Sequence, residues 1–186
     1  MRAKAPGKAI QEQNRKLQKY AKIPVFIACN TESGGNGACA DGTLIGSGLK
    51  IAATDNEEYA YVLDRMSNEE AAAIGCNMAF APVCDILYNW QNTEIIMRGF
   101  GSDPRRVADM SAAYLKGAHS NPGFACAAQH IPDNGQGSRP AHRSNPVNHC
   151  DVAAWDTTYD VVSRTLTTRD MNAPLGRPTN IPTHPK

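Results

Sequence analysis

The chain has 186 residues, 41% of them hydrophobic, which is enough to form one domain around a hydrophobic core. Its 19 basic and 18 acidic residues nearly cancel, so its charge predicts neither a nucleic-acid interface nor an electrostatic membrane anchor. No apolar run approaches the length of a transmembrane span. Residues 1–22 are basic but lack the apolar centre of a signal peptide, and we expect a leader followed by a polar helix.

Three apolar runs along the chain are predicted to be buried strands, because they are too short for helices. After each run come a polar loop and then a stretch with the spacing of an amphipathic helix. The predicted strands span residues 22–30, 76–86 and 123–131, and the predicted helices span residues 55–74, 102–119 and 150–166.

Capping signals set the expected limits of two of these helices. Asp55 is predicted to cap the first helix and Gly75 to end it. Ser102 or Asp103 is predicted to cap the second helix, and Gly117 to end it.

The Pro-rich and mostly polar residues 168–186 are expected to be an extended or disordered tail, with too many prolines for a central strand. The predicted organisation is therefore a leader and helix over residues 1–22, a folded unit over residues 23–167, and this tail.

The six cysteines include no C-x-x-C pair, which argues against a structural zinc site. Cys29, Cys84 and Cys126 lie in or beside the apolar runs and are interpreted as small buried hydrophobic residues. Reduced thiols are typical of the cytoplasm, and we expect that compartment.

The repeated order of strand, loop and helix predicts parallel β/α units. In such folds, functional residues lie in the loops that follow the carboxyl ends of the strands. These loops gather polar side chains, which predicts a pocket for a polar ligand. The candidates are Asn30, Glu32, Asp85, Asn89, Arg98, Gln129, His130 and His142.

Several loop segments, in order, resemble the N-terminal barrel domain of glycoside hydrolase family 3, especially its bacterial β-N-acetylhexosaminidase branch. The similar segments are "NTESGGNGACADGT", "IGCNMAFAPVCDILYNWQN", "MRGFGSDPRRVADMSAAYLKG" and "AAQHIPDNGQGSRPAH". The resemblance covers roughly residues 23–162 and implies an α/β fold, a partial (β/α)8 TIM-type barrel. It also implies a carbohydrate ligand, retaining hydrolysis of terminal β-linked N-acetylglucosamine or a related sugar, and no metal or cofactor.

The resemblance also implies roles for single residues. Arg98 and His130 align with sugar-binding residues, Gln129 stands where the family has a lysine, and His142 aligns with the acid/base histidine. Asn30, Glu32 and Asp85 would line the same pocket. Purely structural alternatives remain open: loop bracing for Arg98, a satisfied core position for His130, and capping for the three pocket residues.

The chain departs from the family at several of these positions. Pro140 replaces the aspartate that pairs with the acid/base histidine, and Asp133 replaces a glycine in the same loop. The 186 residues supply about half of a barrel and no match to the nucleophile motif. We therefore expect a glycosidase-like chain with impaired catalysis. The alternatives are a non-catalytic sugar-binding pseudoenzyme and a structural half-barrel. An open barrel edge predicts a homodimer or a partner chain that covers it.

Overall fold

The computed structural model describes residues 5–137, 150–169 and 171–176. Helices and strands alternate along these residues, which confirms the predicted α/β class. In chain order they are α1 (Gly7–Tyr20), β1 (Ala28–Cys29), a 3-10 turn (Gly35–Gly37), α2 (Gly48–Ala52), α3 (Glu58–Ala73), β2 (Met78–Ala79), α4 (Pro104–His119), β3 (Ala125–Ile131), α5 (Val152–Thr157), α6 (Tyr159–Thr168) and β4 (Ala173–Gly176).

The four strands form one parallel sheet in the order β1-β2-β3-β4. Cys29 pairs with Ala79, Ala79 pairs with Cys126, and Ala127 pairs with Ala173. Each strand therefore neighbours the next one along the chain, and the loops that follow the strands all leave from the same edge of the sheet. Parallel strands in sequential order with helices between them form part of a (β/α)8 barrel.

The first two strands are shorter than the apolar runs that predict them. Only Ala28–Cys29 and Met78–Ala79 are paired as strands. The beginning of the first run is not buried, since Ile23 and Phe26 are 74% and 75% exposed. The reason is that β2 starts only at Met78, so the residues that lead into β1 have no strand beside them.

The C-terminal part of the described chain contains a strand that sequence alone did not predict. Residues Ala173–Gly176 form β4, which pairs with β3 in parallel. Pro174 is compatible with this position, because β4 is the last strand of the described sheet and proline is tolerated at an edge.

Helix α4 begins as predicted but ends later. The carboxylate of Asp103 accepts a hydrogen bond from the backbone N–H of Arg106 at 2.8 Å, so Asp103 rather than Ser102 is the cap. Gly117 does not end the helix, which continues to His119. A Cβ atom at position 117 would lie 2.4 Å from the carbonyl oxygen of Tyr61 on α3. The glycine therefore permits α3 and α4 to approach closely.

The predicted cap of α3 is also wrong. Asp55 has a left-handed backbone with φ of 54°, and α3 begins at Glu58. The side chain of Asn56 accepts from the backbone N–H of Glu58 at 3.0 Å, so the turn before the helix is organised one residue later. Gly75, with φ of 84°, follows the end of the helix as predicted.

The predicted helix over residues 150–166 consists of two helices, α5 and α6, which are separated by Thr158. Asp151 caps α5 by accepting from the backbone N–H of Ala154 at 2.7 Å. Helix α5 ends before Thr158 because the backbone of this residue, with φ of −124° and ψ of −85°, is not helical. The hydroxyl of Thr158 donates to the carbonyl of Ala154 at 2.5 Å.

The hydrophobic core contains side chains from the sheet and from α3, α4 and α6, including Leu63, Tyr114, Leu115 and Leu166. Cys84 and Cys126 are buried as expected, Cys29 is half-buried, and none of the six thiols is in a disulfide. Within the described residues, no helix combines the length and apolarity needed to cross a membrane.

Candidate functional site

The candidate site lies at the edge of the sheet where β1, β2 and β3 end. The loop after β1 carries Glu32, the loop after β2 carries Asp85 and Arg98, and the end of β3 carries Gln129 and His130. This placement follows from the parallel topology, because every strand delivers its following loop to the same edge.

Glu32, Arg98 and Gln129 form a hydrogen-bonded group that we call the rim cluster. Arg98 Nε donates to Glu32 Oε2 at 2.8 Å and Nη2 donates to Oε1 at 2.7 Å, so the ion pair is bidentate. Its side chains are partly accessible, 31% for Arg98 and 17% for Glu32. The hydrogen bond to Glu32 raises the pKa of Arg98.

Gln129 joins the third strand to this ion pair. Its Nε2 donates to Glu32 Oε1 at 2.6 Å and to the backbone carbonyl of Phe80 at 2.8 Å. The residue is only 4% exposed. The buried Gln129 thus fixes the position of Glu32 through one hydrogen bond and is itself held by the other.

Backbone packing also fixes the position of Arg98. Helix α2 begins at Gly48, where a Cβ atom would lie 2.1 Å from the carbonyl oxygen of Arg98. Arg98 Nη1 donates to the carbonyl of Glu94 at 3.3 Å on the other side. The loop that bears the guanidinium is thus held between α2 and its own preceding turn.

Asp85 and His130 form a second, buried group. His130 Nδ1 lies 2.8 Å from Asp85 Oδ2, which also accepts from the His130 backbone N–H at 3.1 Å. Asp85 Oδ1 accepts from the backbone N–H of Asn134 at 2.6 Å. A carboxylate acceptor at Nδ1 favours the tautomer with hydrogen on that nitrogen and leaves Nε2 as the other polar atom of the ring.

Asp133 closes the loop that follows β3. Its two oxygens accept from the backbone N–H groups of Ile86 and Gly135, both at 2.7 Å. Burial, and then the nearby charge of Asp85, raise the pKa of Asp133. The resemblance suggested only that a glycine was missing here. The structure shows that a side chain bonded to two backbone groups organises this loop, and the Asp-Asn-Gly sequence is the turn signal that could have indicated it.

The structure does not bring all of the predicted site residues together. Glu32, Arg98 and Gln129 are in direct contact, and His130 is adjacent to Gln129 in the chain. Asp85 is fully buried with both oxygens bonded to the protein, so it positions the loop rather than contacting a ligand directly.

Asn30 belongs to neither group. Asn30 is exposed at the end of β1, outside the rim cluster. His142 and Pro140 lie outside the described residues. The assignment of His142 to the acid/base position, and of Pro140 to the position of its aspartate partner, stays a prediction.

Sequence comparison extends the resemblance to named proteins. The model of the glycosyl hydrolase family 3 N-terminal domain matches residues 2–162. A β-N-acetylglucosaminidase/β-glucosidase from Cellulomonas fimi is 35% identical over 148 residues, which are 80% of this chain and 26% of that protein. A β-hexosaminidase from Idiomarina loihiensis is 28% identical over 142 residues, which are 74% of this chain and 42% of that protein.

Solved structures show the same relationship. A structure described as the β-glucoside phosphorylase BglX bound to 2FGlc is 33% identical, with a TM-score of 0.88 over 92% of this chain and 31% of its own. A family 3 β-N-acetylglucosaminidase from Paenibacillus sp. str. FPU-7, 23% identical, has a TM-score of 0.90 over 96% of this chain and 35% of its own, and supports the fold. The chain thus spans less than half of each of these relatives. It belongs to glycoside hydrolase family 3 and matches the N-terminal domain of that family.

Proposed function

We propose that this chain is glycosidase-like and recognises a terminal β-linked N-acetylglucosamine or a related sugar through the rim cluster, with impaired hydrolysis. The observation that carries the proposal is the bidentate Glu32–Arg98 pair, partly accessible at the edge where the strands end. The 35% identity to a β-N-acetylglucosaminidase/β-glucosidase supports the sugar class.

The chemistry of the rim cluster suits a polyol. A guanidinium offers several donors in a fixed plane, and a carboxylate accepts, so together they complement neighbouring hydroxyl groups. Glu32 and Arg98 carry opposite charges and Gln129 is neutral, so the cluster as a whole favours an uncharged ligand over an ionic one. His130 would add its Nε2 to the same surface.

Impaired hydrolysis is proposed from the sequence at the acid/base position. The acid/base step requires a group that exchanges a proton near neutral pH, which the imidazole of His142 can do. Pro140 stands where the family has the aspartate partner of this histidine, and a pyrrolidine ring cannot accept its N–H. The alternative, a pseudoenzyme that binds sugar without turnover, shares the rim cluster and differs only in the rate of reaction.

A second candidate is phosphorolysis, in which phosphate rather than water receives the sugar. It is favoured by the 33% identity to the β-glucoside phosphorylase. Adding inorganic phosphate to the same assay separates the two reactions, because only phosphorolysis depends on it.

The decisive experiment combines calorimetric titration of free N-acetylglucosamine and glucose with an assay of their 4-nitrophenyl β-glycosides, with and without phosphate. We expect saturable binding and little or no release of nitrophenol. Arg98→Lys removes the fork that bonds Glu32 and should weaken binding by about tenfold or more. Arg65→Lys, which alters an exposed arginine paired with Glu69 on α3, is the matched control and should bind as wild type does.

Absence of binding to both sugars by a folded wild-type chain would refute the proposal. Efficient turnover would refute impairment, and its dependence on phosphate would identify a phosphorylase.

We also propose a cytoplasmic location and a second copy or partner chain at the β1 edge. The location is supported by six thiols that are not in disulfides. The partner is supported by an exposed apolar surface made by α1 and the segment leading into β1, where Leu17, Tyr20 and Phe26 are 57%, 78% and 75% exposed. Sedimentation equilibrium should give a dimer, and Tyr20→Ser should shift it towards monomer. A monodisperse wild-type monomer would contradict self-association.

A further inference from the structure

The turn that carries Glu32 is attached to the core through Thr31. The carbonyl oxygen of Thr31 accepts from the backbone N–H of Gly34 at 3.2 Å, which closes the turn around Glu32. The same oxygen accepts from the hydroxyl of Tyr114 on α4, also at 3.2 Å. Thr31 is fully buried and Tyr114 is 1% exposed, so water does not compete for this bond.

The side chain of Thr31 is held from a second helix. Its hydroxyl donates to Asn68 Oδ1 on α3 at the long distance of 3.5 Å. Asn68 is oriented in turn by donating from Nδ2 to Asp64 Oδ2 at 3.0 Å. Asn68 and Asp64 are both fully buried. Thr31, the residue before Glu32, is therefore hydrogen-bonded to α4 at its carbonyl and to α3 at its hydroxyl.

We propose that Tyr114 and Asn68 are positioning residues for the rim cluster, which they control by fixing Thr31 and so the direction in which Glu32 meets Arg98. The role in ligand recognition rests on the function proposed above, whereas the mechanical link between Tyr114 and the Glu32–Arg98 pair does not. Neither residue has a hydrogen bond to the rim cluster, and both act through Thr31, Tyr114 at its carbonyl and Asn68 at its hydroxyl.

Burial raises the pKa of Asp64, the carboxyl group behind this anchor. The titratable groups that interact electrostatically with Asp64 are Tyr114 from α4, Cys126 from β3 and Cys29 from β1. Within the described residues, Asp64 has no ion pair with a lysine, arginine or histidine. Behind the loop, the buried hydrogen bonds from Thr31 to Asn68 and from Asn68 to Asp64 hold their partners in fixed positions.

The test follows the Glu32–Arg98 pair by NMR, through the hydrogen exchange rate of the Arg98 Nε–H group, with Arg98→Lys used to assign its signal. In Tyr114→Phe, which removes only the hydroxyl, this exchange should accelerate by about tenfold because one buried hydrogen bond on Thr31 is lost. Tyr159→Phe is the matched control. It deletes a hydroxyl from an equally buried tyrosine on α6, where the ring packs against Trp155, and it should leave the Arg98 exchange unchanged.

A second variant keeps the proposal testable if Tyr114→Phe does not fold. Thr31→Val preserves the shape of the side chain and removes the donor to Asn68, and it should accelerate the exchange by about threefold because that bond is long. Exchange within twofold of wild type in every variant that folds would overturn the proposal.

Sugar titration separates this result from the proposed function. Faster Arg98 exchange with weaker N-acetylglucosamine binding in Tyr114→Phe supports both. Faster exchange in a chain whose wild type binds no sugar supports the positioning role and refutes the proposed function.

Discussion

Asp85 and Asp64 are two fully buried carboxyl groups in opposite surroundings. Asp85, at the edge where the strands end, accepts from two backbone N–H groups and the ring of His130. Asp64, behind the sheet, accepts from Asn68, and its Oδ1 has no hydrogen-bond partner. Burial raises the pKa of Asp64 well above its ordinary value, and the neighbouring Tyr114 and Asn68 only partly oppose the rise. Equal burial thus goes with different hydrogen bonding, because both oxygens of Asp85 have donors whereas Asp64 Oδ1 has none.

The largest expected effect is at Asp85. In wild type, the two oxygens of Asp85 accept hydrogen bonds from three donors. Asp85→Asn replaces one oxygen with an NH2 group, which cannot accept, so at least one buried N–H loses its partner. We expect the free energy of unfolding to fall by about 2–4 kcal/mol. Urea denaturation followed by circular dichroism measures it. A loss below about 0.5 kcal/mol would mean that donor count does not distinguish Asp85 from Asp64.

A smaller loss is expected in the rim cluster. Gln129→Leu leaves Glu32 and the carbonyl of Phe80 without the amide that serves both, at a residue that is 4% exposed. The expected destabilisation is about 1–3 kcal/mol. Gln129→Glu is informative beside it, because it places a second carboxylate next to Glu32. The repulsion between the two should lower the free energy of unfolding more at pH 8 than at pH 5. Equal stability of both variants and wild type would show that Gln129 is not part of the cluster's support.

The same substitution at Asp64 should act in the opposite direction and depend on pH. The folded-state pKa of Asp64 is raised above its unfolded value, so the folded state binds more protons between the two values, and wild-type stability falls as pH rises through this window. Asp64→Asn removes this term. Its stability relative to wild type should therefore increase with pH, with the smallest difference near pH 4. Parallel curves from thermal melts at several pH values would contradict the assignment.

The smallest effect is expected at an exposed ion pair. Arg65 and Glu69 pair on α3 at 2.7 Å, with side chains 38% and 55% exposed. Arg65→Gln should change the free energy of unfolding by about 0.3–0.5 kcal/mol and lose even that in high salt. A change as large as that of Gln129→Leu would remove the distinction between surface pairs and the rim cluster.

Sequence patterns could predict the elements that depend on local spacing. The strand ends that place Arg98, Gln129 and His130 on one edge follow from the alternation of strands and helices. The sequence predicts the cap of α4 at Ser102 or Asp103, and the hydrogen bond to the backbone N–H of Arg106 selects Asp103. The identity of Glu32 as the partner of Arg98 does not follow, because 66 residues separate them and only the folded loops bring them together.

Other outcomes depended on contacts that no local pattern encodes. Glycine is a common helix terminator, but Gly117 lies within α4. It is needed there because the backbone of α3 packs directly against it. Asn30 and Glu32 are two residues apart in one loop, yet one is exposed and the other is paired, since the turn closed by Thr31 and Gly34 directs them differently.

The contact between Gly48 and the carbonyl of Arg98 has a consequence for mutational scanning. Any side chain at position 48 would clash with the backbone of Arg98 and force α2 and this loop apart. A screen that scores loss of the Glu32–Arg98 ion pair would rank this glycine beside the arginine itself, although it has no side chain. A hit at position 48 would therefore report on the fit of α2 against the Arg98 loop.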